Sequence, residues 1–261
     1  MIKQEIMEGI LGRVIMVASG KGGTGKTMFS LNFAEMLANE GHKTALIDMN
    51  TGLRSLDLAA GVENRSIFDV CDIIKEVSTI DDTIIRPAYN ENLGIIPGCQ
   101  DIDSDKVIRK GIHSLVDLLI SKHGYDFVVI DSPPGIGGAI EDIAEASNDI
   151  IIVLTPESSS LRDADAMEDY IIRRFAISRY YVLNNVMYDL LDKNLELTPK
   201  IIDSRMKSKM LGIVQTDINI RMSMNMGIPV VLKRNSYIAN NFKKMINRYI
   251  NYIKIKDKNK I

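Results

Sequence analysis

The chain has 261 residues, 46% hydrophobic and 25% charged, with a net charge of −2, which excludes a disordered or fibrous protein and leaves room for one large α/β domain. Two cysteines, Cys71 and Cys99, and three scattered histidines, His42, His113 and His123, show no metal-ligand spacing and fit a reducing compartment. No apolar run nears the roughly 20 residues of a membrane-spanning helix. The opening MIKQEIMEGILGR has neither a basic leader nor an apolar signal core, so a cytoplasmic protein is expected.

Residues 1–12 place Ile2, Ile6 and Ile10 four apart and read as an N-terminal extension with weak amphipathic period. From residue 13 onward, short β-branched apolar runs alternate with stretches of helical period, the pattern of a parallel sheet with crossover helices. Strands are expected at 13–18, 43–47, 93–96, 127–130, 150–154, 180–183 and 211–214. Helices are expected at 28–40, 66–77, 108–122, 161–174 and 238–255, with Gly41 as the C-terminal stop of the first. The fold class is α/β: one doubly wound, mostly parallel sheet with helices on both faces over 13–255, followed by a basic tail, 256–261. The last helix gathers Ile238, Phe242, Met245, Tyr249, Tyr252 and Ile253 on one face, the pattern of a helix covering its own core.

Charge is unevenly spread. From residue 200 onward 14 Lys+Arg face 3 Asp+Glu, a net +11 that leaves −13 for the rest. Two readings stay open: a polyanionic partner, either nucleic acid or an anionic membrane, or a solvated basic face.

The strand at 13–18 runs into SGKGGTGKT and then a helix. Gly20, four residues, Gly25, Lys26 and Thr27 complete the Walker A spacing of a P-loop nucleotidase. Glycines at 20, 22, 23 and 25 permit positive φ and let backbone amides converge on a phosphate, helped by the dipole of the helix that opens near Lys26. Lys26 is placed to reach the β- and γ-phosphates, Thr27 to ligate magnesium, and Thr24 and Met28 to flank the nucleotide. In YDFVVIDSPPG, four apolar residues deliver Asp131 to the carboxyl end of a buried strand, the Walker B position, and Gly135 leaves the next loop room to respond to the γ-phosphate. Asp48, ending the second strand, is a further carboxylate for the cation. ATP and Mg2+ are the cofactors this set implies.

The extra lysine of KGGTGKT, Lys21, is where the chain resembles the MinD/ParA family of deviant Walker A ATPases, nearer its MinD branch. The resemblance continues at TGLRSLDLAAG (51–61), DSPPGIGGA (131–139), TPESSSLRDADAM (155–167), VLNN with Asn184, VQTD with Asp217, and GIPVV (227–231). It implies that Lys21 reaches across an ATP-dependent homodimer to the partner's nucleotide and that Asn184 and Asp217 contact adenine. It also implies a switch that positions the division site or flagella, read by an activating or cargo protein. The alternatives are a ParA-type partition ATPase binding DNA nonspecifically, or a family member that binds ATP with little hydrolysis. A metal-insertion ATPase of the same superfamily is disfavoured for want of paired cysteines. Three departures stand out. Asn50 replaces the second carboxylate of an Asp-x-Asp run beginning at Asp48, which implies slow hydrolysis because an amide accepts no proton. Asn185 stands where an arginine is usual. The tail IKIKDKNKI has too few large apolar residues to enter a bilayer alone, which leaves at most a peripheral place at the inner membrane face.

Overall fold

The computed structural model describes residues 12–50, 54–101, 105–193 and 195–258. Among them, seven strands form one sheet: β1 Arg13–Ala18, β2 Thr44–Asp48, β3 Leu93–Ile96, β4 Phe127–Asp131, β5 Asp149–Leu154, β6 Ser178–Val186 and β7 Lys209–Gln215. Their spatial order is β3-β2-β4-β1-β5-β6-β7, and every neighbouring pair runs parallel. The expected strands are all present, displaced or extended by a few residues, and the sheet is more uniform than the expected mostly parallel one.

Period-2 alternation splits the core into two layers. In β1, Ile15 and Val17 point to one side, and Val14, Met16 and Ala18 to the other. In chain order the helices are α1 Lys26–Asn39, α2 Ser55–Ala59, α3 Val70–Ile74, α4 Ile80–Thr83, α5 Asp105–Ser121, α6 Ala139–Glu145, α7 Ser158–Arg174, α8 Tyr188–Asp192, α9 Pro199–Arg205, α10 Ile218–Asn225 and α11 Tyr237–Lys258. α1 and α11 cover the first layer through Phe29, Phe33, Phe242 and Tyr249. α5, α6 and α7 cover the second through Ile112, Ile143 and Met167.

α11 buries its expected apolar face: Phe242, Met245, Tyr249 and Ile253 are buried. Phe242 meets Phe29 at 5.7 Å between ring centroids, and Tyr249 meets Phe33 at 5.7 Å, both on α1. Such aromatic pairs add about 1 kcal/mol each beyond area burial. The Tyr249 hydroxyl donates to Asp149 (2.9 Å), which also accepts from Arg13 (2.9 Å), so the last helix is fastened to the first strand and the P-loop helix together. No helix among the described residues is long and apolar enough to cross a membrane.

Two expectations need correction. The helix expected at 66–77 shrinks to α3, because the Asp69 carboxylate accepts from the amides of Cys71 and Asp72 in a reciprocal capping box that fixes the start. At the other end Glu76 turns to φ 59°. The cysteines expected to stay reduced are joined: Cys71 of α3 and Cys99, just beyond β3, form a disulfide with Cα atoms 5.7 Å apart, both buried. The expected amphipathic stretch at 2–10 and the end of the tail, 259–261, lie outside the described residues; 256–258 continue α11.

Gly61, after α2, and Gly227, after α10, touch through their backbones. Both hold positive φ, and a Cβ on Gly61 would lie 2.4 Å from the Gly227 carbonyl oxygen.

The disulfide closes a loop with a sequence separation of 28, worth about 3.5 kcal/mol of stability by loop-closure entropy. Reduction with dithiothreitol, or Cys71→Ser without it, is expected to lower the melting midpoint by roughly 10 °C for a chain of this size, read by circular dichroism. An unchanged midpoint would mean that the pair contributes nothing.

Candidate functional site

The loop between β1 and α1 forms the floor of the site. Gly23 (φ 79°) and Gly25 (φ 88°) take the left-handed backbone that favours glycine. Gly20 is required for a different reason: a Cβ there would sit 2.3 Å from the Asp163 backbone of α7. Gly22 does neither, so positive φ holds for two of the four glycines. The Ser19 hydroxyl donates to the Lys21 carbonyl (2.7 Å) and steadies the turn.

β2 and β4 are neighbours in a register that sets Asp48 beside Asp131. Asp131 is fully buried and accepts from the hydroxyls of Thr27 (2.6 Å) and Ser30 (2.9 Å), one turn apart on α1. Burial raises its carboxyl above the usual range, against the hydrogen bonds and the Lys26 charge. Burial and the neighbouring Asp131 push Asp48 up to about 7, although the amides of Asn50 (2.8 Å) and Leu56 (3.3 Å) donate to it. Lys26 is buried, which lowers its ammonium from the ordinary value while Asp131 and Asp48 raise it. An ammonium facing two carboxylates beneath a glycine-rich loop at a helix N-terminus fits a magnesium-bound polyphosphate. The hydroxyl of Thr24, buried and without a hydrogen-bond partner, adds a donor in the same loop. Thr27, Asp131 and Asp48 are the groups that would hold the ion.

Lys21 stands on the outer rim. Its ammonium donates to Glu157 (2.6 Å) and Ser159 (3.0 Å) at the start of α7. Asn184, at the end of β6, donates to the Thr24 carbonyl (2.7 Å), so its amide braces the loop. A Cβ at Gly25 would strike that amide at 2.2 Å. Asn184 and Asp217 both line a cavity of about 590 Å³ that opens from Gly23, Thr24, Gly25 and Met28. Asp217 caps α10, accepting from the Asn219 amide (2.6 Å) and the Tyr237 hydroxyl (3.0 Å). Those bonds, the Asn219 amide first, hold its carboxyl below the usual range. Asn185, where an arginine was expected, takes φ 61°, and Arg221 of α10 lines the cavity.

The structure sets Asp48 beside Asp131 at the strand ends next to the loop, and brings Asn184 and Asp217 to the cavity on the loop's other side. Sequence reading missed Ser30, three residues after Thr27 on the same helix face, and the Glu157–Lys21 pair. Of the segment 51–61, residues 51–53 lie outside the described residues. Among the described residues, the one group of three or more histidine, cysteine and acidic side chains with ligand atoms close together is Asp69, Cys71 and Cys99, within 4.8 Å. Its two sulfurs are bonded to each other and in that form ligate nothing.

A profile of the family described as "ParA: NUBPL iron-transfer P-loop NTPase" matches residues 11–250. A putative septum site-determining protein MinD of Chlorella vulgaris is 34% identical over 225 residues, 86% of this chain and 79% of that protein. The MinC:MinD cell division complex of Aquifex aeolicus superposes with a TM-score of 0.82 at 27% identity, over 92% of this chain and 96% of the other. The septum site-determining protein MinD of Pyrococcus horikoshii OT3, complexed with Mg-ADP, superposes with a TM-score of 0.77 at 28% identity, over 89% and 93%.

Asp48 gives the site a pH signature. The folded chain keeps its proton to about pH 7, whereas the unfolded chain releases it near the ordinary 3.8. Between those values the folded state binds more protons, so stability falls as pH rises, and the raised Asp131 acts in the same direction. In nucleotide- and magnesium-free protein, the melting temperature of Asp48→Asn relative to the native chain should climb by several degrees between about pH 5 and about pH 8. A difference independent of pH would contradict the shift.

Proposed function

The chain belongs to the MinD/ParA family of P-loop ATPases, and from that membership we propose that it is an ATP-dependent switch of the MinD type that acts in division-site placement. The observation that carries the reading is the buried Lys26 ammonium facing Asp131 and Asp48 under the glycine loop, with a second lysine, Lys21, parked on the rim.

Backbone amides of residues 20–27 and Lys26 bind and orient the phosphates. Thr27 and Asp131, with Asp48 beside them, would hold a magnesium ion, which when bound would supply positive charge against the carboxylates and the γ-phosphate. Adenine lies in the cavity between the loop and α10, near Asn184 and Asp217. Two copies close face to face when Lys21 exchanges Glu157 and Ser159 for the other copy's phosphates. The cost of breaking that ion pair is small, since Glu157 is more than half exposed. The composite surface then recruits a second protein, and hydrolysis to ADP and phosphate releases it. Asn50, beside Asp48, orients water without accepting its proton, so turnover is slow. The protein works in the cytoplasm and peripherally at the inner membrane face, drawn there by its basic C-terminal third.

Light scattering is expected to show a dimer with Mg-ATP and a monomer with ADP. Lys21→Ala should bind ATP with native affinity and remain monomeric; an intact ATP dimer in that variant would overturn the role of Lys21. Lys26→Ala should weaken ATP by roughly 10- to 100-fold, the loss of a charged hydrogen-bonding group, by calorimetry. Restoring the carboxylate with Asn50→Asp should raise single-turnover hydrolysis at least about tenfold. Native protein without Mg-ATP affinity would sink the proposal as a whole.

A further inference from the structure

At the amino ends of β6 and β7, the pole opposite the nucleotide site, a second cavity of about 510 Å³ opens between the sheet edge and the last turns of α11. Its lining holds Arg179, Lys207, Lys209 and Lys256, and no carboxylate. Lys207 is neutralised by Asp169 and Asp165 on α7, and its amide donates to the buried Glu168 behind the wall (2.7 Å). The other three cations have no acidic partner among the described residues: Arg179 donates to the Ile177 carbonyl (3.2 Å), Lys256 to the Ser178 hydroxyl, and the Lys209 ammonium lies over the Tyr252 ring (4.9 Å).

Two further groups of this lining are incomplete. The hydroxyl of Ser208, only 9% exposed, has no hydrogen-bond partner, and neither has the buried Nε of Arg179. Buried donors without partners are rare in folded proteins, and each costs roughly 1–3 kcal/mol unless a ligand completes it. Here two of them share one cleft with three unneutralised cations. The ligand chemistry that answers both is the tetrahedral oxyanion of a phosphate group, with acceptor oxygens in several directions. In the same lining Ile255 is 56% exposed, which suits an apolar remainder attached to that anion.

We propose that this cleft binds the phosphate group of an organic phosphate or phospholipid headgroup, through Arg179, Lys209, Lys256 and the Ser208 hydroxyl. The site is separate from the nucleotide site and does not depend on its reading. It gives the basic C-terminal third one defined address, where charge is matched by geometry.

The test titrates native protein, Arg179→Gln/Lys209→Gln and Ser208→Ala with inorganic phosphate and with glycerol 3-phosphate by calorimetry. A parallel arm sediments each protein with phosphatidylcholine vesicles, with and without phosphatidylglycerol. Phosphate held by the P-loop is common to all three proteins, so the difference between native and variant reports the cleft whatever the nucleotide site does. The double variant should bind at least about tenfold more weakly, the loss expected for charged hydrogen bonds. Ser208→Ala, which removes a group with no partner in the fold, should bind several-fold more weakly with an unchanged melting temperature. A loss in the soluble arm identifies a free organic phosphate, and a loss confined to the phosphatidylglycerol vesicles identifies a lipid headgroup; either supports the site. Equal binding by native protein and both variants in both arms overturns it.

Discussion

An ammonium group enclosed in protein needs negative charge beside it, and that requirement organises this molecule. Lys26 is buried at the start of α1, and the carboxylates that compensate it, Asp131 and Asp48, lie at the ends of two adjacent strands. The order β2-β4-β1 is what brings the glycine loop and both carboxylates to one edge of the sheet. The strands behind are apolar on both faces because helices cover both, so the charged groups have nowhere to disperse. Burial and the neighbouring Asp131 leave Asp48 inclined to keep its proton, and a divalent ion with phosphates would resolve the imbalance.

The same parallel arrangement gives the molecule two chemically different poles. Carboxyl ends of the strands meet the amide-rich loop and the acidic residues; amino ends of β6 and β7 meet lysines and an arginine from the basic C-terminal third. α11 joins the two, since its aromatic face is interlocked with α1 beneath the loop while its last turns wall the basic cleft. Lys21, on the rim of the first pole, is held by Glu157 and Ser159 at the start of α7.

What the sequence disclosed depended on how local each signal was. Strands buried on two faces are continuous apolar runs, and FVVID announced both β4 and the position of Asp131 at its end. Walker spacing carried the loop for the same reason: its meaning lies within nine consecutive residues. Contacts made across the fold were silent. Glu157 is 136 positions from Lys21, and the Cys71–Cys99 bond depends on where α3 packs relative to the end of β3, which spacing does not encode. Ser30 read as an ordinary helix residue, although its place one turn after Thr27 was the available clue. The helix at 66–77 was overextended because apolar periodicity is blind to an aspartate side chain that takes the backbone amides for itself.

The contact between Gly61 and Gly227 has a mechanical meaning. That seam ties the turn after α2 to the turn after α10, and α10 walls the cavity beside the glycine loop. Any side chain added at either glycine would pry those two turns apart and move the cavity wall with them.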